Sequence, residues 1–314
     1  MTSITPTASR PVVAIAGATG HLGRHVASAF LSPPFRDHFS EIIILSRQDS
    51  SLSLVPEVNG KYTTRKYDED NLVDALRDVQ VLVNTVGPSG HSFKEKLVQA
   101  LPHTKVQVYF PSEFGVDHYV HDFSHLEWDQ KKKHFALAQR LPNVKTCRIF
   151  CGLFLEDSIG PWFGFDTKNG KYESVGSRHT PISFTSLDDV GKTVASLAAL
   201  PKEKIPEIVH VGGDTRSFAE TAEIMQAAGA GPIQVTEISL QNYKEEATAT
   251  TSWDPAKYLR FLMGEGKINH TTDGLGSENE LVNPDGLWTW TSLVDLAAES
   301  NGRPWKEFAW PSEQ

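Results

Sequence analysis

A glycine-rich turn near the start of the chain places the strongest constraint on its fold. The apolar run Val12–Ala16 predicts a short buried strand, and the motif GATGHLG follows it directly. Leu22, Val26 and Phe30 then recur at i, i+4 and i+8, the spacing of one helix face. The order strand, glycine turn, helix is that of a dinucleotide-binding corner.

The three glycines of the turn have separate expected roles. Gly17 allows a tight turn, Gly20 lets backbone N–H groups approach a pyrophosphate, and Gly23 lets the helix pack closely. The start of the helix adds unpaired donors and the positive end of a dipole. The spacing GxxGxxG differs from the usual GxGxxG pattern, so an ordinary strand-to-helix turn is the alternative interpretation.

Composition narrows the function class. The chain has 314 residues, a net charge of −9 and a pI near 5.7, which disfavours nucleic-acid or anionic-membrane binding. Cys147 and Cys151 are its two cysteines, too few for a disulfide framework. No run reaches transmembrane length, and residues 1–10 lack an apolar signal segment. We therefore expect a cytoplasmic protein that binds neither nucleic acid nor membrane.

Strands and helices alternate through the first half of the chain. A helix capped by Asp70 is expected over Asn71–Asp78, and another carries Phe93 and Leu97. The further predicted strands are Glu41–Leu45, Tyr62–Tyr67, Val79–Val86, Val106–Phe110 and Val144–Phe150. This alternation predicts an α/β fold of the Rossmann type, with a doubly wound parallel sheet.

The pattern changes after residue 150. Helices are expected after the capping sequences at Ser186 and Ser217, and Ile208–Val211 is predicted as a further strand of the main sheet. We predict a cofactor-binding domain over residues 11–150, with 182–212 returning to it. A smaller, partly interleaved substrate lobe would then comprise residues 151–181 and 213–314.

Arg47 ends the second predicted strand, at the position that selects the dinucleotide. An acidic residue there would hold the 2′-hydroxyl of NAD, whereas an arginine suits the 2′-phosphate of NADP. Ser50 follows closely and adds a hydroxyl. The pattern therefore favours NADP(H), and a solvated loop arginine is the alternative.

The segment PSEFGVD, residues 111–117, directly follows the fifth predicted strand. Together with GATGHLG, Arg47, VNTVG (residues 83–87) and Ile182–Gly191, it resembles the isoflavone reductase-like, or NmrA-like, group of atypical short-chain dehydrogenases. That group includes phenylcoumaran benzylic ether and pinoresinol–lariciresinol reductases. The resemblance implies an NADPH-dependent reductase in which a lysine replaces the usual catalytic tyrosine.

The resemblance places that lysine at Lys131, in a pattern similar to K-x-x-V-R. His134 and Phe135 stand where the group has an aliphatic–basic pair, and Lys132 or Lys133 remains an alternative equivalent. Hydride delivery to an electron-poor carbon builds negative charge on a conjugated oxygen, and a partly buried ammonium can protonate or polarise that oxygen. A solvated helix face is the alternative for this lysine run.

The remaining site predictions concern cofactor and substrate contacts. The predicted cofactor-binding residues are Gly17, Thr19, Gly20, His21, Leu22, Gly23, Arg47, Ser50, Thr85, Val86, Gly87, Pro88, Pro111, Ser112, Glu113 and Phe114. The predicted substrate-binding residues are Phe154, Asp157, Trp162 and Phe163, because aromatic rings suit stacking on a planar substrate. Packing in a lobe core is the alternative for each ring.

Two other patterns are given no catalytic role. Tyr62 and Lys66 match Tyr-x-x-x-Lys but precede the fourth strand, where the ordinary catalytic pair does not occur. His118, His121 and His125 lack suitably spaced acidic or thiol partners, so no metal site is predicted.

We therefore expect an NADPH-dependent reductase acting on a small aromatic or conjugated secondary metabolite. One rival is an NmrA-like regulator that senses NADP(H) without turnover and acts through a protein partner. Another is a biosynthetic isomerase or cyclase on the same fold. Substrate identity, reaction direction and stereochemistry stay open, as does the oligomeric state, for which a homodimer is one option.

Overall fold

A computed structural model describes residues 10–47 and 61–305, and Ser50 lies outside them. The strands are β1 (Val12–Ala16), β2 (Glu41–Arg47), β3 (Thr63–Tyr67), β4 (Val81–Asn84), β5 (Val108–Phe110), β6 (Lys145–Thr146), β7 (Arg148–Phe150), β8 (Leu153–Phe154), β9 (Phe165–Asp166), β10 (Lys171–Val175), β11 (Ile182–Thr185), β12 (Ile208–His210), β13 (Asp214–Arg216) and β14 (Gln234–Ile238).

The α-helices follow the predicted alternation. They are α1 (His21–Leu31), α2 (Leu72–Ala75), α3 (His91–Ala100), α4 (Leu126–Ala138), α5 (Leu155–Ser158), α6 (Leu187–Ala199), α7 (Phe218–Ala227), α8 (Leu240–Thr248), α9 (Ala256–Gly264), α10 (Asn279–Val282) and α11 (Leu293–Glu299). Among the described residues, none of these helices combines the length and apolar character needed to cross a membrane.

The main sheet has six parallel strands in the order β3-β2-β1-β4-β5-β6. This is the doubly wound order in which the direction of strand addition reverses beside β1. Val13, Ala14, Ile15 and Ala16 are all fully buried, as expected for a parallel strand covered on both faces. The Rossmann-type prediction is confirmed.

The chain forms two compact units that interleave along the sequence. Of the described residues, the first unit comprises 10–47, 61–112, 134–147 and 191–207, and the second comprises 113–133, 148–190 and 208–305. Residues 113–133 thus cluster with the second unit, although the sequence pattern predicts them in the cofactor domain. The assignment of cofactor and substrate binding to separate lobes stays a prediction.

Two of the predicted strands pair differently from expectation. The expected strand Val144–Phe150 is divided at Cys147, because Pro111 follows β5 and has no N–H to continue the ladder. Beyond that break, β7 pairs in parallel with β12 in a separate two-stranded sheet. The prediction that Ile208–Val211 returns to the main sheet was therefore wrong.

Helix starts follow the predicted capping sequences at two of three positions. Ser186 Oγ accepts from Asp189 N at 3.1 Å, and a capping box at Ser217 begins α7. A further capping box, at Ser292, begins α11. The Asp70 cap was wrong. Asp68 Oδ1 instead accepts the N–H groups of Asp70 and Asn71 before the single-turn helix α2, because an aspartate readily bonds the backbone two residues on.

Candidate functional site

The glycine turn of the first unit is closed by backbone contacts. Gly17 has φ +83°, a conformation that favours glycine, and its carbonyl accepts from Gly20 N at 2.9 Å. Helix α1 then begins at His21 with no side-chain cap. Thr19, Gly20 and His21 are exposed. The first turn of α1 therefore has the uncapped donors that an anionic group can use.

Two of the three glycines are required by close packing within the first unit. A Cβ at Gly23 would lie 1.9 Å from the Gly17 carbonyl oxygen, and one at Gly17 would lie 2.8 Å from Val86 N. A Cβ at Gly20 would meet only the Gly17 carbonyl oxygen, at 3.2 Å. The turn formed by residues 17–23, the cradle, therefore depends on Gly17 and Gly23 for its shape. Gly20 leaves open space beside the cradle.

The ends of β1, β4 and β5 are tied together beside this turn. Thr85 Oγ1 donates to the Ala16 carbonyl at 2.8 Å, and Ser112 Oγ donates to the Val86 carbonyl at 2.8 Å. Gly87 and Pro88 are exposed at the end of this loop. The first unit thus brings Gly17, Thr85, Val86 and Ser112 to the carboxyl edge of its sheet, where doubly wound folds bind ligands.

Arg47 is the last residue of β2, the strand adjacent to β1. Its residue position is exposed, and it is paired in register with Tyr67 of β3. The predicted neighbour Ser50 lies outside the described residues. An exposed arginine at the carboxyl end of this strand has the location that a ribose 2′-phosphate requires.

The three consecutive lysines of α4 differ in environment. Lys131 is the most enclosed: its side chain is 14% exposed, and its Nζ donates to the Glu113 carbonyl at 3.1 Å. The same Nζ lies 3.7 Å from Glu127 Oε1, one helical turn earlier. The Lys132 side chain is 31% exposed, and Lys133 is exposed. Of the three, Lys131 has the partly buried, anchored ammonium that acid–base work requires.

Glu113 is buried in the second unit and directs its carboxylate inward. Its Oε2 lies 3.1 Å from His118 Nε2, and its Oε1 accepts from the Tyr119 hydroxyl at 3.2 Å. Burial by itself raises the pKa of Glu113. The hydrogen bonding and charge of His118 and the charge of Lys131 outweigh burial, so this pKa lies below its ordinary value. Glu113 therefore reaches Lys131 through its backbone carbonyl, while its carboxylate remains an anion.

Asp117, the last residue of PSEFGVD, is also an internal anchor. Its Oδ2 lies 2.9 Å from His210 Nε2 of β12, and its Oδ1 accepts from Tyr119 N at 2.9 Å. Burial by itself raises the pKa of Asp117. The hydrogen bonds from His210 and Tyr119 lower it by more than burial raises it, so this pKa lies below its ordinary value. The acidic residues of this segment thus fix the segment itself, a role that the sequence motif did not reveal.

His121 and His125 lie among aromatic rings. The His121 ring stacks on Phe123 at 5.2 Å between centroids, and the His125 ring lies 4.1 Å from that of Trp128. Burial is the main cause that lowers the pKa of His121 to about 3 and that of His125 to about 4. Within residues 10–47 and 61–305, no group of three acidic, histidine or cysteine side chains is arranged to hold a metal ion.

These two histidines predict acid sensitivity of the fold. Between about pH 6.5 and pH 4 the unfolded chain binds protons that the folded chain does not, so stability present above pH 6.5 is lost as pH falls. We expect the free energy of unfolding to drop by about 2 kcal/mol in total between pH 6.5 and 4.5, after discounting for partial exposure. Urea unfolding across this range measures the slope.

A ring-conserving variant provides the control for that slope. His121→Phe keeps the stacked ring and removes one titrating group, so the dependence on pH should weaken. His103→Phe removes an exposed histidine and should leave the slope as it is. Equal slopes in wild type and His121→Phe would contradict the assignment.

The predicted substrate residues differ in accessibility. Phe163 is 5% exposed and belongs to an apolar core cluster of the second unit. Phe154, Asp157 and Trp162 are half-buried. Of the four, Phe163 has the environment of a core residue, and the other three keep surface that a ligand can contact.

Comparison with known proteins identifies the family. A model of the NmrA-like family matches residues 9–254 of the sequence. The chain belongs to the NmrA-like family. The resemblance read from GATGHLG and PSEFGVD is thereby confirmed, since the matched range includes both segments of this NmrA-like chain.

Two named relatives of this NmrA-like chain are reductases or oxidoreductases. Phenylcoumaran benzylic ether reductase Pyrc5 of Pyrus communis is 26% identical over 301 residues, which cover 90% of this chain and 96% of the relative. Oxidoreductase aprR of Aspergillus flavus is 24% identical over 196 residues, covering 61% of this chain. The match spans 65% of that relative, slightly less than two thirds of its length.

A solved structure shares the fold. The leucoanthocyanidin reductase–NADPH complex from Vitis vinifera superposes with a TM-score of 0.72 at 17% identity. The superposition covers 93% of this chain and all of that one. The NmrA-like chain therefore shares the fold of that reductase.

Proposed function

We propose that this protein is an NADPH-dependent reductase of a small aromatic or conjugated secondary metabolite. The observation that carries the proposal is Lys131, a largely enclosed ammonium held by the Glu113 carbonyl on the helix that follows PSEFGVD. The names of the relatives, which include a phenylcoumaran benzylic ether reductase and an oxidoreductase, support the same chemistry.

The proposed cofactor residues fit a dinucleotide phosphate. The cradle formed by Gly17 and Gly23 would admit no Cβ, and Gly20 leaves backbone donors accessible at the start of α1. Arg47 would hold the 2′-phosphate, and Thr85–Pro88 with Ser112 would border the remainder. When bound, NADPH supplies a hydride to the substrate.

Lys131 would supply the matching proton. An ammonium has three N–H donors, and one of them bonds to Glu113, so others can point to a substrate oxygen. Reduction of a conjugated double bond consumes one hydride and one proton, and the negative charge that develops on the oxygen is stabilised by this ammonium. The second product is NADP⁺, so charge and atoms balance.

A panel of electrophiles tests the proposal directly. Enones, quinone methides and benzylic ethers are incubated with the protein and NADPH, and absorbance at the nicotinamide band is followed. We expect at least one class to accelerate NADPH oxidation. If no class does so although NADPH binds, the reductase proposal is wrong.

The family match also favours a second candidate, an NADP(H)-sensing regulator, because the matching model is that of the NmrA-like family. A sensor would bind oxidised cofactor tightly, turn over no substrate and co-purify with a stable protein partner. Lys131 favours the reductase, since a sensor needs no enclosed ammonium. The panel above and a pull-down with NADP⁺ discriminate between the two.

Cofactor choice gives a separate prediction at Arg47. Arg47→Ala should weaken NADPH binding by about ten- to a hundredfold and leave NADH binding unchanged, because only NADPH carries the 2′-phosphate that a bidentate guanidinium holds. Titration by nicotinamide fluorescence measures both affinities. Arg77→Ala, at an arginine whose side chain is 70% exposed in the first unit, is the matched control. Equal affinities of the wild type for NADPH and NADH would remove the role of Arg47.

A further inference from the structure

Three buried polar side chains of the first unit form a continuous chain of hydrogen bonds. Asn84 of β4 donates through Nδ2 to Tyr109 Oη of β5 at 3.0 Å. The same Oη lies 2.6 Å from Nε2 of His134 on α4. Asn84 and Tyr109 are fully buried, and His134 is 4% exposed. Burial of three polar groups costs free energy unless they are hydrogen-bonded, so these bonds hold the three side chains in one arrangement.

The chain of bonds ends at the loop that follows β4. Asn84 Oδ1 accepts from the backbone N–H of Val86 at 3.0 Å. One donor order that makes all three contacts runs from Val86 N–H to Asn84 Oδ1, from Asn84 Nδ2–H to Tyr109 Oη, and from Tyr109 O–H to His134 Nε2. In that order each bond polarises the next, and the orientation of the Asn84 amide is set by Tyr109.

His134 is the third member of this chain of hydrogen bonds. Its Nε2 lies 2.6 Å from the Tyr109 hydroxyl, a contact that an aliphatic side chain could not make. His134 also lies three residues after Lys131 on α4. The contact therefore joins His134 to β5 within the first unit.

We propose that Asn84, Tyr109 and His134 are positioning residues that hold the loop Thr85–Pro88 in the conformation that binds NADPH. The inference rests on the proposed function for its cofactor. The conformation of this loop can be measured without cofactor. The Val86 N–H is hydrogen-bonded to Asn84 Oδ1, and its hydrogen exchange is slow while that bond is made. Loss of the Tyr109 hydroxyl removes the bond that orients the Asn84 amide, so the bond from Val86 N–H to Asn84 Oδ1 is broken for a larger fraction of the time.

Two measurements on Tyr109→Phe test the inference. Hydrogen exchange at the Val86 amide should become about five- to tenfold faster, the size of effect that loss of one buried hydrogen bond has on an equilibrium constant. The dissociation constant of NADPH should rise by a similar factor, while kcat at saturating NADPH stays close to that of wild type. A merely structural role would lower stability without this split.

A matched variant separates positioning from general loss of a buried bond. Tyr172 is also fully buried, and its hydroxyl lies 3.0 Å from Thr167 Oγ1 in the second unit. Tyr172→Phe makes the same chemical change there, and we expect unaltered Val86 exchange and unaltered NADPH affinity. If Tyr109→Phe fails to fold, His134→Val removes the same Tyr109–His134 contact from its other side and is measured in its place.

The outcomes are distinguishable. Unchanged Val86 exchange in Tyr109→Phe and His134→Val overturns the positioning inference, whatever the cofactor result. Equal acceleration in Tyr172→Phe overturns it too, because the effect would then be general. Faster exchange of the Val86 amide in Tyr109→Phe or His134→Val supports the loop-positioning role. If the wild-type protein at the same time binds no NADPH, the proposed function is rejected.

Discussion

Lys131→Ala is expected to lower kcat by at least a hundredfold and to leave NADPH affinity unchanged. General acid catalysis by a positioned side chain contributes roughly 10²- to 10⁴-fold, and alanine removes the only proton donor that the proposed mechanism uses. Steady-state kinetics on a substrate found in the panel, with fluorescence titration of NADPH, measures both quantities. A variant that turns over at the wild-type rate while still binding NADPH would exclude Lys131 as the acid.

The neighbouring lysines provide matched controls on the same helix. Lys132→Ala and Lys133→Ala remove the same charge from more exposed positions, so each should keep kcat within about threefold of wild type. If one of them abolishes turnover instead, that lysine is the true equivalent of the family residue. Lys131→Arg keeps a positive charge but cannot release a proton, and it therefore separates polarisation of the substrate oxygen from its protonation.

The environments of the three lysines could not be predicted from the sequence. The run Lys131–Lys133 places three equal charges at consecutive positions of a predicted helix, and only packing distinguishes them. The i, i+4 spacing of Glu127 to Lys131 predicts a contact on one helix face, and Glu127 Oε1 lies 3.7 Å from Lys131 Nζ. Local spacing contains that signal, but the Glu113 carbonyl, eighteen residues from Lys131 in sequence, can be found only by tertiary folding.

The fold was more predictable than the site because its determinants are local. The apolar run of β1, the glycine turn and the periodic face of α1 lie within twenty residues and point to the same structure. The end of the sheet was less predictable, since the break at Cys147 depends on Pro111 in the adjacent strand. The bonds among Asn84, Tyr109 and His134 join three separate elements, and each residue alone reads as ordinary core.

The glycine turn yields the other prediction with a large effect. Gly23→Ala should unfold the first unit or destabilise it by about 2–4 kcal/mol. The new Cβ would lie 1.9 Å from the Gly17 carbonyl oxygen, and a backbone oxygen cannot move away as a flexible side chain could. Thermal unfolding measures the loss. Gly87→Ala is the stability control, since no heavy atom of the described residues lies within 4 Å of its Cβ position.

Gly20→Ala distinguishes a cofactor glycine from a packing glycine within the same motif. Its Cβ would meet only the Gly17 carbonyl oxygen, at 3.2 Å, so the melting temperature should change far less than in Gly23→Ala. A methyl group there would nevertheless occupy the space proposed for the pyrophosphate, and NADPH affinity should fall at least tenfold. Wild-type affinity in a well-folded Gly20→Ala protein would contradict that placement, and GATGHLG would then serve this chain as a strand-to-helix turn alone.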